Sequence, residues 1–236
     1  MRVGARWQTA GMIDVADPVT RPGSGWIRFH GGFAVVAVAV LLIPLADTGV
    51  RVLALVIGYN IALPVFARRT GDDALWTAWA VLAPMSVFMV LPDWFLSAVL
   101  GTLNFPDTGA PYIGTMPLFM AGMWAIALIP LMMIGMTVEA ARGVGAAFAA
   151  TAGSGILLFI AAERVAPLIP LWEPIGVAEI AGVAVYVLLP EAALCIASYA
   201  LVRGAGRRPL VATVGGIIAI PFMYLGMLAT GYQFLG

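Results

Sequence analysis

Residues 75–100 read LWTAWAVLAPMSVFMVLPDWFLSAVL, twenty-six positions that carry a single charge, Asp93. At 1.5 Å per residue a helix of this length reaches ~39 Å, enough to cross the ~30 Å hydrocarbon core of a bilayer. A carboxylate inside such a span costs at least ~2.5 kcal/mol, so Asp93 needs a partner, a proton or a wet cavity. The same stretch therefore fixes the fold class and raises the question of a site.

Six further apolar runs flank it, at about 29–46, 51–67, 116–136, 144–162, 176–202 and 210–232. The chain as a whole is 62% hydrophobic and 10% charged, with a mean hydropathy of +1.02, too apolar for a soluble domain of 236 residues. The expected fold is all-α, a polytopic membrane protein with seven transmembrane helices forming one domain over 29–236. Residues 1–28, with Arg2, Arg6, Arg21, Arg28, Asp14 and Asp17, are too long and too polar for the start of a signal peptide and read as a retained cytoplasmic tail.

The arginines orient the spans, because short cytoplasmic loops carry the basic residues. Ten of the twelve fall on one side: the four of the tail, Arg68 and Arg69, Arg142, and Arg203, Arg207 and Arg208. Only Arg51 and Arg164 fall on the other. The N-terminus is therefore expected in the cytoplasm, with the protein crossing the cell inner (plasma) membrane several times.

Composition also excludes functions. All the basic residues are Arg, so no lysine can form a retinal or pyridoxal Schiff base or serve a P-loop. One Cys (Cys195) and one His (His30) are too few for a disulfide, a zinc site or a haem pair. Acidic and basic residues balance at twelve each, which gives nucleic acid no purchase. No cofactor is expected, and any chemistry falls to carboxylates, amides and hydroxyls.

Two buried acids stand out. Asp93 lies about seven residues before the outer end of the third span, and Asn60 sits at a similar depth in the second. Glu191, some fifteen residues into the run 176–202, reads as the deepest acid, ~22 Å down. Asp93 either caps the loop GTLNFPDTG (101–109), bonds to Asn60, or works as an acid. Glu191 is either a neutral carboxyl bonded to Tyr186 or Tyr199, or a proton donor: an acid that keeps its proton in a water-poor pocket can pass it to an apolar substrate. The resulting cation would be stabilised by aromatic faces, for which Tyr59, Trp79, Trp94, Trp124 and Tyr186 are candidates. Glu179 lies near the outer end of the sixth span, while Glu163 and Arg164 read as an interfacial pair. Met116, Met120 and Met123 share one face of the fourth span, beside Trp124, and can pack as core or mould to a flexible ligand. Ala146, Ala150 and Ser154, with Ala147, Thr151 and Gly155 alongside, make the fifth span a packing helix without assigned chemistry.

FMVLPDWFLSAVL (88–100) and VYVLLPEAALCIA (185–197) share an apolar run, a proline followed by an acid, and a second apolar run. Pro92 and Pro190 are three spans apart, which suggests an inverted three-helix repeat with a site between its halves.

GTLNFPDTGAPYIGTMPLFMAGMW (101–124) resembles the loop and helix entry of the membrane-embedded lycopene cyclases. Ile113, Gly114, Pro117 and Leu118 match, with Phe119 and Met120 where those enzymes carry a glutamate pair. LLPEAALCIASYALV (188–202) resembles the second copy of that motif, keeping Pro190 and Glu191. Asp93, Leu100-Gly101-Thr102, Gly114 and Pro117-Leu118 are similar to the carotenoid hydratases of the bisanhydrobacterioruberin type, and YNIALP (59–64) is loosely similar to the fungal membrane meroterpenoid cyclases. The resemblance implies an isoprenoid-modifying enzyme, a cyclase or hydratase, working by acid–base carbocation chemistry on a terpenoid or carotenoid.

Two classes of function follow. In the first, Glu191 and Asp93 are the catalytic pair, and Asn60, Tyr59, Trp94, Trp124, Tyr186, Glu179 and Met120 bind an apolar isoprenoid. In the second, the same acids serve a small proton-coupled transporter, a lipid-binding protein, or a subunit of a membrane complex. The partners expected are membrane lipids, an isoprenoid substrate, and a second copy or a membrane protein.

Overall fold

The computed structural model describes residues 22–236, so Arg2, Arg6, Arg21 and the rest of the tail before residue 22 lie outside the described residues. Among the described residues seven helices are long and apolar enough to cross a membrane, and the protein is a multi-pass, all-α membrane protein. The first two crossings are α1 (Gly25–Leu42) and α2 (Thr48–Thr70). The third is composite, with α3 (Asp73–Phe88), α4 (Val90–Trp94) and a π-helical turn (Phe95–Leu100). The remaining crossings are α5 (Met120–Arg142), α6 (Val144–Val165), α7 (Val185–Gly204) and α8 (Leu210–Leu235).

Local chemistry sets these limits. Pro44 cannot continue α1, and Arg51 of α2 reaches back to the carbonyls this leaves open: Nη1 donates to Leu41 O at 2.6 Å and Ile43 O at 3.0 Å. Asp72 caps α3 by accepting from the Leu75 N–H at 3.0 Å. Pro92 has no N–H to offer the Phe88 carbonyl, and the helix breaks at Met89 between α3 and α4. The π-turn then ends at Gly101, where the N–H groups of Gly101 and Thr102 both donate to Leu96 O.

Expected boundaries move at several crossings, and the first runs 25–42 instead of 29–46, so residues 25–28 of the expected tail are helical. The fourth crossing begins at Met120 instead of 116, and the sixth at Val185 instead of 176, because the preceding residues fold as strands. β1 (Leu103–Asn104) and β4 (Glu173–Pro174) pair antiparallel. β2 (Tyr112–Ile113) and β3 (Met116–Pro117) make one hairpin, and β5 (Glu179–Ile180) and β6 (Val183–Ala184) make another. Their two-residue turns, Gly114-Thr115 and Ala181-Gly182, take the positive φ that tight hairpins require at Gly114, Ala181 and Gly182. All three pairings cover the same end of the bundle, here termed the hairpin end.

Packing places α5 between α3 and α6, with α7 against α6 and α8. α1 buries no residue and lies at the edge against α2, where Phe29, Phe33 and His30 meet Tyr59. At the end opposite the hairpins, Glu139 of α5 accepts from Arg203 Nε and Nη2 of α7 at 2.8 Å, and from the Tyr199 hydroxyl.

The strands reveal a duplication. The unit α3–α4–β1–β2–β3–α5 is followed by α6–β4–β5–β6–α7, in the same element order. The hairpins sit 67 residues apart and β1 and β4 sit 70 apart. β1 and β4 pair as Leu103 with Pro174 and Asn104 with Glu173. Antiparallel pairing between corresponding strands is what a two-fold relation between the units requires. Both units begin at the same end of the bundle, so the repeat is parallel, with its axis along the bundle. The inverted repeat expected from Pro92 and Pro190 is not the relation present. An inverted pair would place its acids at opposite depths, whereas Asp93 lies seven residues from the hairpin end of its crossing and Glu191 six residues from that end of α7.

Candidate functional site

A cavity of about 470 Å³ lies between the two units under the hairpins, within the range of small-molecule sites. Its wall is almost wholly apolar, yet three carboxyls reach it: Asp93, Glu163 and Glu191. Asp93 is 3% exposed and Glu191 5%. Asp93 Oδ2 accepts from Trp124 Nε1 at 2.9 Å, and Glu163 Oε1 accepts from Trp172 Nε1 at 2.9 Å. Glu191 Oε2 is buried with no hydrogen-bond partner among the described residues, a costly state for a polar atom.

The duplication explains this convergence. Asp93 and Glu163 are 70 residues apart, the offset of β1 and β4, and occupy equivalent places near the ends of their helices. Trp124 and Glu191 are 67 apart, the offset of the hairpins, and both lie in the second turns of their helices, α5 and α7. Each unit thus contributes the same two positions across the axis. They carry Asp and Trp in the first unit, Glu and Glu in the second.

Local structure aims these groups. Asp93 follows the Pro92 break and precedes the π-turn, a feature that often marks functional sites. Pro190 likewise withholds an N–H from the Tyr186 carbonyl. Into that space comes Gly231 of α8, where an added Cβ would lie 2.8 Å from Tyr186 O. The Tyr186 hydroxyl shares a hydrogen bond with Thr102 Oγ1 at 3.0 Å, linking the two units over the cavity. Trp124 is the aromatic hub, with Phe159 at 5.6 Å and Tyr224 at 5.7 Å between ring centroids. Tyr224, deeply buried, also lines the cavity.

Of the residues expected from sequence, Asp93, Glu191, Trp124, Tyr186 and Met120 line this cavity, and five do not, among them Trp79, whose ring lies 5.3 Å from that of Trp76. Tyr59 is fully buried between α1 and α2, with its hydroxyl 2.9 Å from His30 Nε2. Asn60 does not bond Asp93; its amide donates to Val56 O at 2.9 Å and Gly122 O at 3.3 Å. Trp94 turns outward at 44% exposure, against the turn at Gly114. Glu179 is exposed on β5, because the sixth helix begins after it. Glu191 is correspondingly only ~9 Å from the end of its helix rather than ~22 Å, and it bonds neither Tyr186 nor Tyr199. The loop 101–109 does cover the cavity through Thr102, Leu103 and Phe105, with Glu191 toward the same end of the bundle as Asp93 rather than at a far end.

Sequence reasoning misses Glu163 as a site residue. It does not pair with Arg164, which instead donates to Ala181 O in the β5–β6 turn. The two residues point to different sides of α6, and one faces inward. Ser154, Leu158, Phe159 and Ala162 of α6 also line the cavity, so this helix does more than pack. The 70-residue spacing of Asp93 and Glu163 is the one available signal, hidden because only two residues of each strand carry it.

Comparison with known proteins gives a family without an assigned activity. No curated protein and no solved structure matches the chain. A family model described as a domain of unknown function, DUF6989, matches residues 90–235, a segment that contains all three cavity acids. With more than half of its length matched, the chain belongs to the DUF6989 family.

Proposed function

We propose that the protein is an integral membrane enzyme that modifies an apolar isoprenoid, a terpenoid or carotenoid, by acid–base chemistry. The observation that carries this reading is Glu191: a buried carboxyl with an unpartnered oxygen, at an apolar cavity that is also lined by Asp93, Glu163 and six aromatic side chains. A protonated Glu191 would transfer its proton to one carbon of a double bond, forming a C–H bond and leaving the cation on the neighbouring carbon. Trp124, Phe159 and Tyr224 would face that cation. Loss of a proton to Asp93, held by the Trp124 N–H, would restore a double bond after isomerisation or ring closure. Capture by water would give a hydrated product instead. The arginine distribution supports an N-terminus in the cytoplasm, with the cavity in the outer half of the membrane.

The test is organic extraction of membranes from an isoprenoid-producing host, with and without the protein, read by mass spectrometry. A new or shifted isoprenoid is expected, absent when Glu191→Gln is expressed at equal level. An unchanged profile, or an unchanged product from Glu191→Gln, would overturn the reading and favour the transporter, lipid-binding or complex-subunit role.

A further inference from the structure

We infer that the cavity opens sideways into the hydrocarbon of the bilayer, between α5 and α6, and that its occupant is a membrane-dissolved lipid chain held by one end. Met123, Ala127, Pro130 and Ile134 follow one another on α5 at steps of four and three, and Ser154, Leu158 and Ala162 on α6 at steps of four. Both stripes line the cavity, and every member remains partly or largely exposed, Leu158 at 36%. The two helices close tightly toward Gly143, where Gly135, Met136, Ala147 and Thr151 are buried. Nearer the hairpins the facing residues of both helices line the cavity and stay partly exposed.

Depth and chemistry identify what the slot faces. It runs from Met123 to Ile134, which is ~5 to ~21 Å from the start of α5, and so lies at hydrocarbon depth. No rim residue is charged. Its one hydroxyl, Ser154 Oγ, is already bonded to Ala150 O at 2.6 Å. An opening toward water would leave this apolar rim wet, whereas acyl chains cover it at no cost. The three acids line the same cavity from its hairpin end, and Glu191 Oε2 is a buried polar atom with no partner among the described residues. The ligand is thus oriented: its end group meets the carboxyls beneath the hairpins and its chain descends along α5 and α6 toward the bilayer centre.

This holds whether or not the site performs chemistry, and its test needs no turnover. The full-length protein is placed in nanodiscs of lipid brominated at mid-chain, and the Trp124 emission is isolated by difference from Trp124→Phe. Strong quenching by the brominated chains, little quenching by aqueous acrylamide, and relief of bromine quenching in Ala127→Phe or Ala162→Phe are expected. Quenching by acrylamide alone, or by neither, would overturn the inference. Should Trp124→Phe not fold, photo-crosslinking with a lipid carrying a mid-chain diazirine, read by peptide mass spectrometry, separates the same alternatives. Adducts on the cavity-facing Phe159 or Trp124 support the slot, and adducts confined to outward residues such as Leu157 refute it.

Discussion

Removing the carboxyl of Glu163 while leaving its neighbour intact separates a cavity acid from an interfacial charge. Glu163 shares the position of Asp93 across the two-fold axis and accepts from Trp172, whereas Arg164 fastens a hairpin turn. Under the proposed chemistry Glu163→Gln lowers product formation by about 10²-fold or more, the usual contribution of a positioned acid or base, while Arg164→Gln leaves it within a few-fold. Assay of both variants at matched expression decides this, and equal loss in the two would make the effect structural. Side-chain pairing is also where sequence is least informative. Asp93 and Glu191 are legible because a carboxylate inside an apolar run announces its own cost. Glu163 is not, because an acid beside an arginine near a helix end looks like any surface pair. Which face it shows depends on the rotation of α6, and an all-apolar helix gives no amphipathic stripe to read that rotation from.

At the scale of elements, the stripe of small residues on α6 is visible in the sequence, and the structure gives it a specific use. Gly155 lets α7 come so close that an added Cβ would collide with Cys195 Sγ. Gly155→Ala should destabilise the protein by about 1–3 kcal/mol, the cost of overpacking a close-packed site. Adding Cys195→Ala should recover most of the loss, since the two changes share one space. Thermal unfolding of the single and double variants in detergent measures both, and additive losses would contradict the packing. Helix limits are legible wherever proline or a polar cap sets them, as at Pro44 and Asp72. They are hidden before α5 and α7 because Met116–Pro117 and Val183–Ala184 are apolar enough to pass for helix. Only their pairing within the hairpins makes them strands.

For the whole molecule, the seven crossings and their arginine asymmetry can be read from composition, but the relation between crossings cannot. A parallel repeat leaves no trace in hydropathy, and the shared proline–acid pairs point to an inverted one. If each unit carries its own start, finish and hairpin, the chain can be divided between them. Residues 1–142 and 143–236, co-expressed as separate chains, should copurify and restore the product of the intact protein. Failure to copurify, with each fragment stably inserted, would show that the α5–α6 connection is needed for assembly.

The two-fold relation is not perfect, and its breach lies where a ligand would sit. At one pair of equivalent positions the units keep the same group, the carboxyls of Asp93 and Glu163. At the other they differ, an indole N–H at Trp124 and a carboxyl at Glu191. A flat double bond lying on the axis would therefore meet a proton on one of its faces and an aromatic ring on the other. Attack from a single face gives a single mirror-image form of any new carbon centre, so the product should be optically pure.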